Sequence, residues 1–266
     1  MVTSVFIANR GEIAVRIIRT LKEMGIESVV GYSEADRESL AVEMADKAVC
    51  IGPAEAKKSY LHSSNLISAA LFAGCDAVHP GVGFLSESAK FSQQVKDAGL
   101  VFIGPEAETI SFLGDKVQAR KTAEKAGLPI TPGSDGPVND LQTAEEFAER
   151  AGYPVIIKAA SGGGGKGMRI VRDHSELETA MRIATHEAET AFSDGTIYME
   201  KYLENPRHIE VQILADTFGN VIHLGERDCS LQKNHQKVLE ESPSPGIDQT
   251  IRDRMCQDAV NLFKSI

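Results

Sequence analysis

The segment SGGGGKGM at 161–168 puts four adjacent glycines beside a lysine, a composition suited to wrapping a phosphate. Glycine has no side chain to hold a ligand away, so successive backbone N–H groups approach phosphate oxygens closely. Two familiar phosphate motifs are excluded. Gly162, Gly164 and Gly167 satisfy G-x-G-x-x-G, but a dinucleotide fingerprint opens a helix, and the following MRIVR reads as a strand. A P-loop needs Ser or Thr after its lysine, and Gly167 stands there. The spacing predicts a glycine hairpin between two strands, with an ordinary surface hairpin as the alternative. Three lysines favour the phosphate reading: Lys158 ends the apolar run VIIK, Lys166 lies in the hairpin, and Lys116 sits upstream where the pattern of the chain changes. With 38 acidic and 28 basic residues the net charge is −10, so an anionic ligand needs a local positive pocket against the global field.

The elements around these residues alternate in period. Ser4–Ala8 reads as a strand, and Ile13, Ile17, Leu21 and Met24 then recur at helical spacing, with Gly25 as the stop. A strand at Ser28–Tyr32, a helix through NLISAALFAG, a strand at Asp76–Val78, a helix near Ala89–Ala98 and a strand at Leu100–Ile103 follow. This alternation predicts an α/β fold, a doubly wound parallel sheet over 1–113. HPGVGF and FIGP follow strand ends, the edge where open α/β sheets bind ligands. A charged helix, DKVQARKTAEKAG, and a loop make a linker over 114–131. A small α+β module over 132–203 holds YPVIIKAA, the hairpin, MRIVR, a helix at Ser175–Glu189 and TIYMEKYL. From 204 to 266 come antiparallel strands joined by a turn near Phe218–Asn220, then PSPG and a last helix.

Composition narrows the classes. With 42% hydrophobic and 25% charged residues in 266, the chain is long enough for a real core and too apolar for disorder. The acidic balance argues against a nucleic-acid partner, which requires a basic face. No apolar run approaches the ~20 residues that span a bilayer, so no membrane is expected. Cys50, Cys75, Cys229 and Cys256 form no CxxC pair, and MVTSVFIANRGE has no basic segment before its apolar run. Reduced thiols and a cytoplasmic location are the expectation.

Seven collinear segments, ANRGEIAVRIIR (8–19), HPGVGFLSE (79–87), FIGP (102–105), GDKVQAR (114–120), IIKAASGGGGKGMR (156–169), MEKYLENPRHIEVQ (199–212) and GERDCSLQKNHQK (225–237), together resemble the N-terminal half of biotin carboxylase, the ATP-grasp subunit or domain of biotin-dependent carboxylases. The resemblance implies a pre-ATP-grasp sheet domain, an ATP-grasp lid and the first part of the ATP-grasp body. It implies an ATP-dependent ligase that carboxylates biotin on a carrier protein, using bicarbonate by way of carboxyphosphate. Carried over by position, Lys116 and Lys158 contact phosphates, Gly164, Gly165 and Lys166 belong to the closing lid, and Glu200, Lys201, Tyr202 and Leu203 hold the adenine. His208, Gln232 and His235 are further nucleotide contacts, and Lys237 is the catalytic lysine that holds bicarbonate beside the γ-phosphate. A compact ammonium suits two anions whose mutual repulsion is the obstacle to reaction. Lys233 and Asn234 occupy a dipeptide that is usually Arg-Arg in the family, removing one charge, and Val82 replaces an aromatic residue.

The same resemblance places the Mg²⁺ ligands, a neighbouring asparagine, the catalytic arginine and much of a homodimer surface after Ile266. No metal ligand is therefore expected within these residues, and the chain by itself is expected not to turn over ATP. Ile247, Ile251, Met255, Ala259 and Phe263, spaced four apart, predict an apolar stripe on the last helix that needs a partner surface. Carboxyltransferase subunits are implied partners. An acetyl-CoA carboxylase subunit, serving fatty acid biosynthesis, is preferred over pyruvate or propionyl-CoA enzymes. The alternatives are another ATP-grasp ligase and a non-catalytic nucleotide-binding fragment.

Overall fold

A computed structural model describes residues 2–114, 116–160, 168–192, 194–233 and 236–265. The chain divides into two compact units, Met1–Arg120 and Lys121–Ile266.

In the first unit the apolar run forms β1 (Ser4–Ile7), buried on both faces. Helix α1 (Gly11–Glu23) follows, then β2 (Glu27–Ser33), α2 (Leu40–Met44), β3 (Lys47–Gly52), α3 (Ser63–Phe72), β4 (Ala77–His79), α4 (Ala89–Asp97), β5 (Val101–Phe102) and α5 (Ala107–Gly114). The five strands are all parallel in the order β3-β2-β1-β4-β5, the doubly wound arrangement that strand–helix alternation predicts. The helix stop at Gly25 is a Schellman turn. Gly25 adopts φ +68°, its N–H reaches the Lys22 carbonyl at 3.1 Å, and Ile26 N–H reaches the Leu21 carbonyl at 2.9 Å. The buried face of α1 is Ala14, Val15, Ile18 and Leu21, one position from the expected Ile13 and Ile17, and Met24 is exposed. Helical side chains lean toward the N-terminus, so a core position is covered by the residue following the one a flat wheel selects. The edge strand β3 and helix α2 were not predicted: KAVCIG buries only Ile51 and shows no clean alternation.

Strand order reverses between β1 and β4, and the chain's own side chains occupy that crevice. Asn9, buried just past β1, donates from Nδ2 to the carbonyls of Pro80 and Val82 at 2.8 and 2.9 Å. Gly81 is required here: at φ +66° a Cβ would lie 2.7 Å from Asn9 Nδ2. Val82 itself is exposed. Beside it, burial pushes the His79 imidazole below its usual pKa.

The second unit runs from the end of α6 (Lys116–Lys125) through α7 (Leu141–Ala151), β6 (Val155–Ala159), β7 (Met168–Val171), α8 (His174–Phe192), β8 (Ile197–Lys201), β9 (Ile209–Ala215), β10 (Val221–Lys233), β11 (Gln236–Glu241) and α9 (Gln249–Lys264). It holds two antiparallel three-stranded sheets, β7-β6-β8 and β11-β10-β9. Helix α7 was not predicted although its signals are present: Asp140 caps Thr143 N–H at 2.8 Å, and Gly152 ends the helix at φ +72°. Ala144, Phe147 and Ala148 join Val155, Ile157, Leu177, Ile197 and Met199 in one core. On α9 the buried residues are Cys256 and Val260, and Ile251 is half exposed, so the packed line is rotated one position from the predicted stripe. The stripe missed it because the line also uses Arg252, a residue no apolar pattern selects. Among the described residues no helix is long and apolar enough to cross a membrane.

Candidate functional site

Among the described residues the sheet β7-β6-β8 is covered on one face. Along β6, Val155, Ile157 and Ala159 are buried, while Ile156 and Lys158 point to the other face. On β8 the buried residues are Ile197 and Met199, leaving Tyr198 and Glu200 on the open face. Register pairs Lys158 with Tyr198 and Met168, and Ile156 with Glu200 and Ile170. The open face is thus, among the described residues, a partly apolar floor of Ile156, Met168, Ile170 and Tyr198 carrying the Lys158 ammonium. Lys158 Nζ donates to the Glu200 carboxylate beside it.

Lys201, next along β8, faces the opposite way: its ammonium caps the carbonyls of Gly152 and Tyr153, both at 2.9 Å. Only its backbone serves the strand edge. There Gly133 bridges Glu200, Ser134 N–H reaches the Met199 carbonyl at 2.8 Å, and Lys201 N–H reaches the Pro132 carbonyl at 2.8 Å. An antiparallel pair would return a bond from residue 132 to the Lys201 carbonyl. Proline has no N–H, so that carbonyl receives no ladder donor. Tyr202 N–H is taken by the Pro154 carbonyl at 3.1 Å, and the Leu203 side chain is half exposed.

On the other sheet, Glu210 of β9 is the hub. One carboxylate oxygen accepts from Lys237 Nζ and lies 3.1 Å from His208 Nε2, and the second accepts from Arg227 at 3.1 Å. Arg227 is the cross-strand partner of Glu210, and Lys237 on β11 pairs with Gln232 on β10. Gln232 Nε2 meets His208 Nδ1 at 2.6 Å and also donates to the Cys229 carbonyl at 3.0 Å. Hydrogen bonds from Lys237, then from Arg227, hold the Glu210 carboxyl below the usual carboxylate range, and the same contact with Glu210 raises the Lys237 ammonium. Glu210, Cys229 and Glu240 bring donor atoms within 4.8 Å of one another. That set does not suit Mg²⁺, a hard cation that takes oxygen ligands, and its carboxylates already have Lys237 and Arg227 as counter-ions.

On the reverse face of β10, Glu226 and Asp228 fasten the loop after β11 and the helix α9. Glu226 accepts from Ser244 N–H at 2.9 Å and from Arg252 Nε at 2.7 Å. Asp228 accepts from the hydroxyls of Ser230 and Ser244 at 2.5 and 2.8 Å, which with Arg207 lower its pKa from 3.8 to about 2. A depressed carboxylate stabilises the fold fully above its unfolded pKa of 3.8, and the contribution is lost as pH falls toward 2. Asp228→Asn is therefore expected to lower the stability of the second unit at neutral pH and to leave it unchanged at pH 2. Denaturant unfolding followed across that range checks it, and a constant difference between the two proteins at all pH values would contradict it.

The structure brings Lys158 together with Glu200 on one sheet, and His208, Gln232 and Lys237 together on the other. Lys116 begins α6 in the first unit. Gly164, Gly165, Lys166, Asn234 and His235 lie outside the described residues. Sequence reasoning missed Pro132, Glu210 and Arg227. The alternation of His208, Glu210 and Gln212 on one strand face was the signal for Glu210.

Two family models match successive parts of the chain. Residues 1–110 match the family model "Biotin carboxylase, N-terminal domain", and 115–266 match "Carbamoyl-phosphate synthase L chain, ATP binding domain". The biotin carboxylase of Haemophilus influenzae is 55% identical over 253 residues, covering 95% of this chain and 56% of that protein. The pyruvate carboxylase of Staphylococcus aureus is 49% identical over 269 residues, covering 100% of this chain and 23% of the relative. Among solved structures, a biotin carboxylase–βγ-ATP complex from Campylobacter jejuni superposes with TM-score 0.85 at 49% identity, over 100% of this chain and 59% of that one. The biotin carboxylase domain of a thermophilic 2-oxoglutarate carboxylase bound to bicarbonate gives TM-score 0.93 at 42% identity, over 100% of this chain and 58% of that one. The chain thus spans somewhat over half the length of the biotin carboxylases it matches. With both family models fitted end to end along it, and the parallel sheet and lysine-bearing antiparallel sheets in place, the chain belongs to the biotin carboxylase family.

Proposed function

We propose that this chain supplies the nucleotide and bicarbonate sites of an ATP-dependent biotin carboxylase. The observation that carries the reading is the open face of β7-β6-β8, where one ammonium stands on a partly apolar floor beside a strand edge with a spare carbonyl. A purine nucleotide matches each part: the carbonyl accepts from the base, Ile156, Met168 and Ile170 flank it, and Lys158 engages phosphate. The family resemblance assigns further phosphate contacts to Lys116, Gly164, Gly165 and Lys166, and contacts with the base to Glu200, Lys201, Tyr202 and Leu203. His208, Gln232 and His235 are further nucleotide contacts.

Bicarbonate is held by Lys237. Its oxygen attacks the γ-phosphorus, the bond to the bridging oxygen breaks, and ADP leaves with that electron pair, giving carboxyphosphate. Carboxyphosphate breaks down to phosphate and CO2, and the ureido nitrogen of biotin on a carrier protein takes up the CO2 as it gives its proton to the released phosphate. An ammonium placed between two anions offsets their repulsion before reaction begins, so little reorganisation is left for the transition state. Domain limits of 1–113, 114–131, 132–203 and 204–266 belong to the same reading, as do a homodimer, carboxyltransferase partners and a cytoplasmic location. Acetyl-CoA carboxylase is the preferred context, and identity to the Haemophilus biotin carboxylase, 55%, is higher than to the Staphylococcus pyruvate carboxylase, 49%.

The test is Lys237→Ala in a protein extended to the relatives' full length. Bicarbonate-dependent phosphate release should fall by about tenfold or more, while calorimetry finds nucleotide affinity nearly unchanged. Collapsed ATP affinity with surviving bicarbonate dependence would overturn the assignment.

A further inference from the structure

Along β8 the residues facing the helix-covered side are Ile197, Met199 and then Lys201, whose cross-strand neighbour is the buried Val155. A lysine is out of place in that apolar series unless its charge has a destination. The destination is the turn between α7 and β6, where the ammonium donates to the carbonyls of Gly152 and Tyr153, both at 2.9 Å. Gly152, at φ +72°, leads the chain out of α7. Carbonyls at a helix C-terminus lack intrahelical donors and form the negative end of the helix dipole, so a cation is their matching partner. The same turn takes a second bond from β8, because Tyr202 N–H reaches the Pro154 carbonyl at 3.1 Å.

These bonds fix a single peptide plane, the one that joins Lys201 to Tyr202. A peptide group is planar, so its C=O and N–H turn together. Rotating the Lys201 carbonyl therefore swings Tyr202 N–H off Pro154. The Cα at the other end of the plane is held twice, by the Lys201 N–H on the Pro132 carbonyl at 2.8 Å and by the ammonium on the α7–β6 turn. What stays free is the carbonyl oxygen.

We propose that Lys201 is a positioning residue for the nucleotide base: its ammonium ties β8 to the α7–β6 turn and so aims the carbonyl of its own residue along the strand edge. The proposal rests on the purine reading given above and deepens it. The side chain itself faces away from the base and touches no substrate. An apolar residue here would fill the same face but would leave the Gly152 and Tyr153 carbonyls without this donor and the strand end without its tie.

The experiment compares Lys201→Met, which keeps an unbranched stem and removes the charge, with Lys201→Arg, whose guanidinium can still bridge two carbonyls. Amide exchange is followed in the 266-residue chain with nitrogen-15 tyrosine and carbonyl carbon-13 lysine, since Lys201–Tyr202 is its one Lys–Tyr step. In each variant the carbon label moves to the new residue. Exchange at Tyr202 N–H should rise about tenfold in Lys201→Met and return most of the way in Lys201→Arg. Tyr198, inside the ladder with β6, should exchange as in the parent. Calorimetry on the protein extended to the relatives' full length should find ATP and adenosine weakened about tenfold in Lys201→Met, with inorganic tripolyphosphate bound as before. Equal weakening of tripolyphosphate overturns the proposal, because Lys201 would then support the fold in general. Unchanged exchange at Tyr202, or unchanged ATP affinity despite faster exchange, overturns it as well. If Lys158→Ala leaves ATP affinity intact, the purine reading of this sheet fails instead, and exchange at Tyr202 still decides whether the ammonium ties the strand.

Discussion

Lys158→Ala is expected to weaken ATP binding roughly tenfold or more, the loss of a charge-assisted contact worth about 1.5–3 kcal/mol. Truncation does more than delete a cation. Strand alternation sets Lys158 and Glu200 on the same face, and their ion pair holds both side chains there. Without the ammonium, Glu200 presents an unpaired carboxylate to the phosphates and repels them. Lys158→Ala/Glu200→Gln should therefore bind ATP more tightly than Lys158→Ala alone, though still less tightly than the parent. Calorimetric titration of the three proteins separates the contributions. Unchanged affinity in Lys158→Ala would remove the nucleotide from this sheet face.

The second large effect concerns architecture. Arg252→Ala is expected to destabilise the second unit by about 3 kcal/mol, within the range for breaking a buried ion pair. Glu226 is 2% exposed, and Arg252 is its counter-ion at 2.7 Å. Arg252 also donates to the Ser244 carbonyl at 2.9 Å, so one guanidinium joins α9, the loop after β11 and β10. Removing it strands a carboxylate in the interior that keeps, among the described residues, only backbone N–H donors, those of Ser244 and of Glu226 itself. Glu226→Gln/Arg252→Met, which leaves no buried charge, should cost less than the single change. Hydrogen exchange at the amides of β10 and α9 reads both. A single variant as well protected as the parent would show that α9 is held by its apolar contacts alone.

How far the sequence can be read depends on the range of the interactions. β1, α1 and β2 are legible because each period is local and the Gly25 stop sits within it. Lys158 is legible because it closes the apolar run VIIK, and strand alternation is enough to put it on the face opposite Val155 and Ile157. The Glu210 hub is not, since Glu210, Arg227 and Lys237 come from three strands whose register is set by tertiary packing. β10 shifts register between His223 and Glu226 and again between Asp228 and Leu231, so counting residues from the hairpin turn misplaces the partners. The α9 stripe failed for the opposite reason: a charge buried against a charge is invisible to an apolar pattern.

Pro132 shows how a missing atom can act as selectivity. It accepts one bond from Lys201 and returns none, leaving on the β8 edge a lone pair that demands a donor. On the proposed reading a purine lies along that edge. Adenine offers an amino hydrogen at its 6-position, whereas guanine sets an oxygen there, lone pair against lone pair. Discrimination between the two bases would then originate in a ring closure that removed a hydrogen from the backbone, at a residue whose own side chain need never meet the nucleotide.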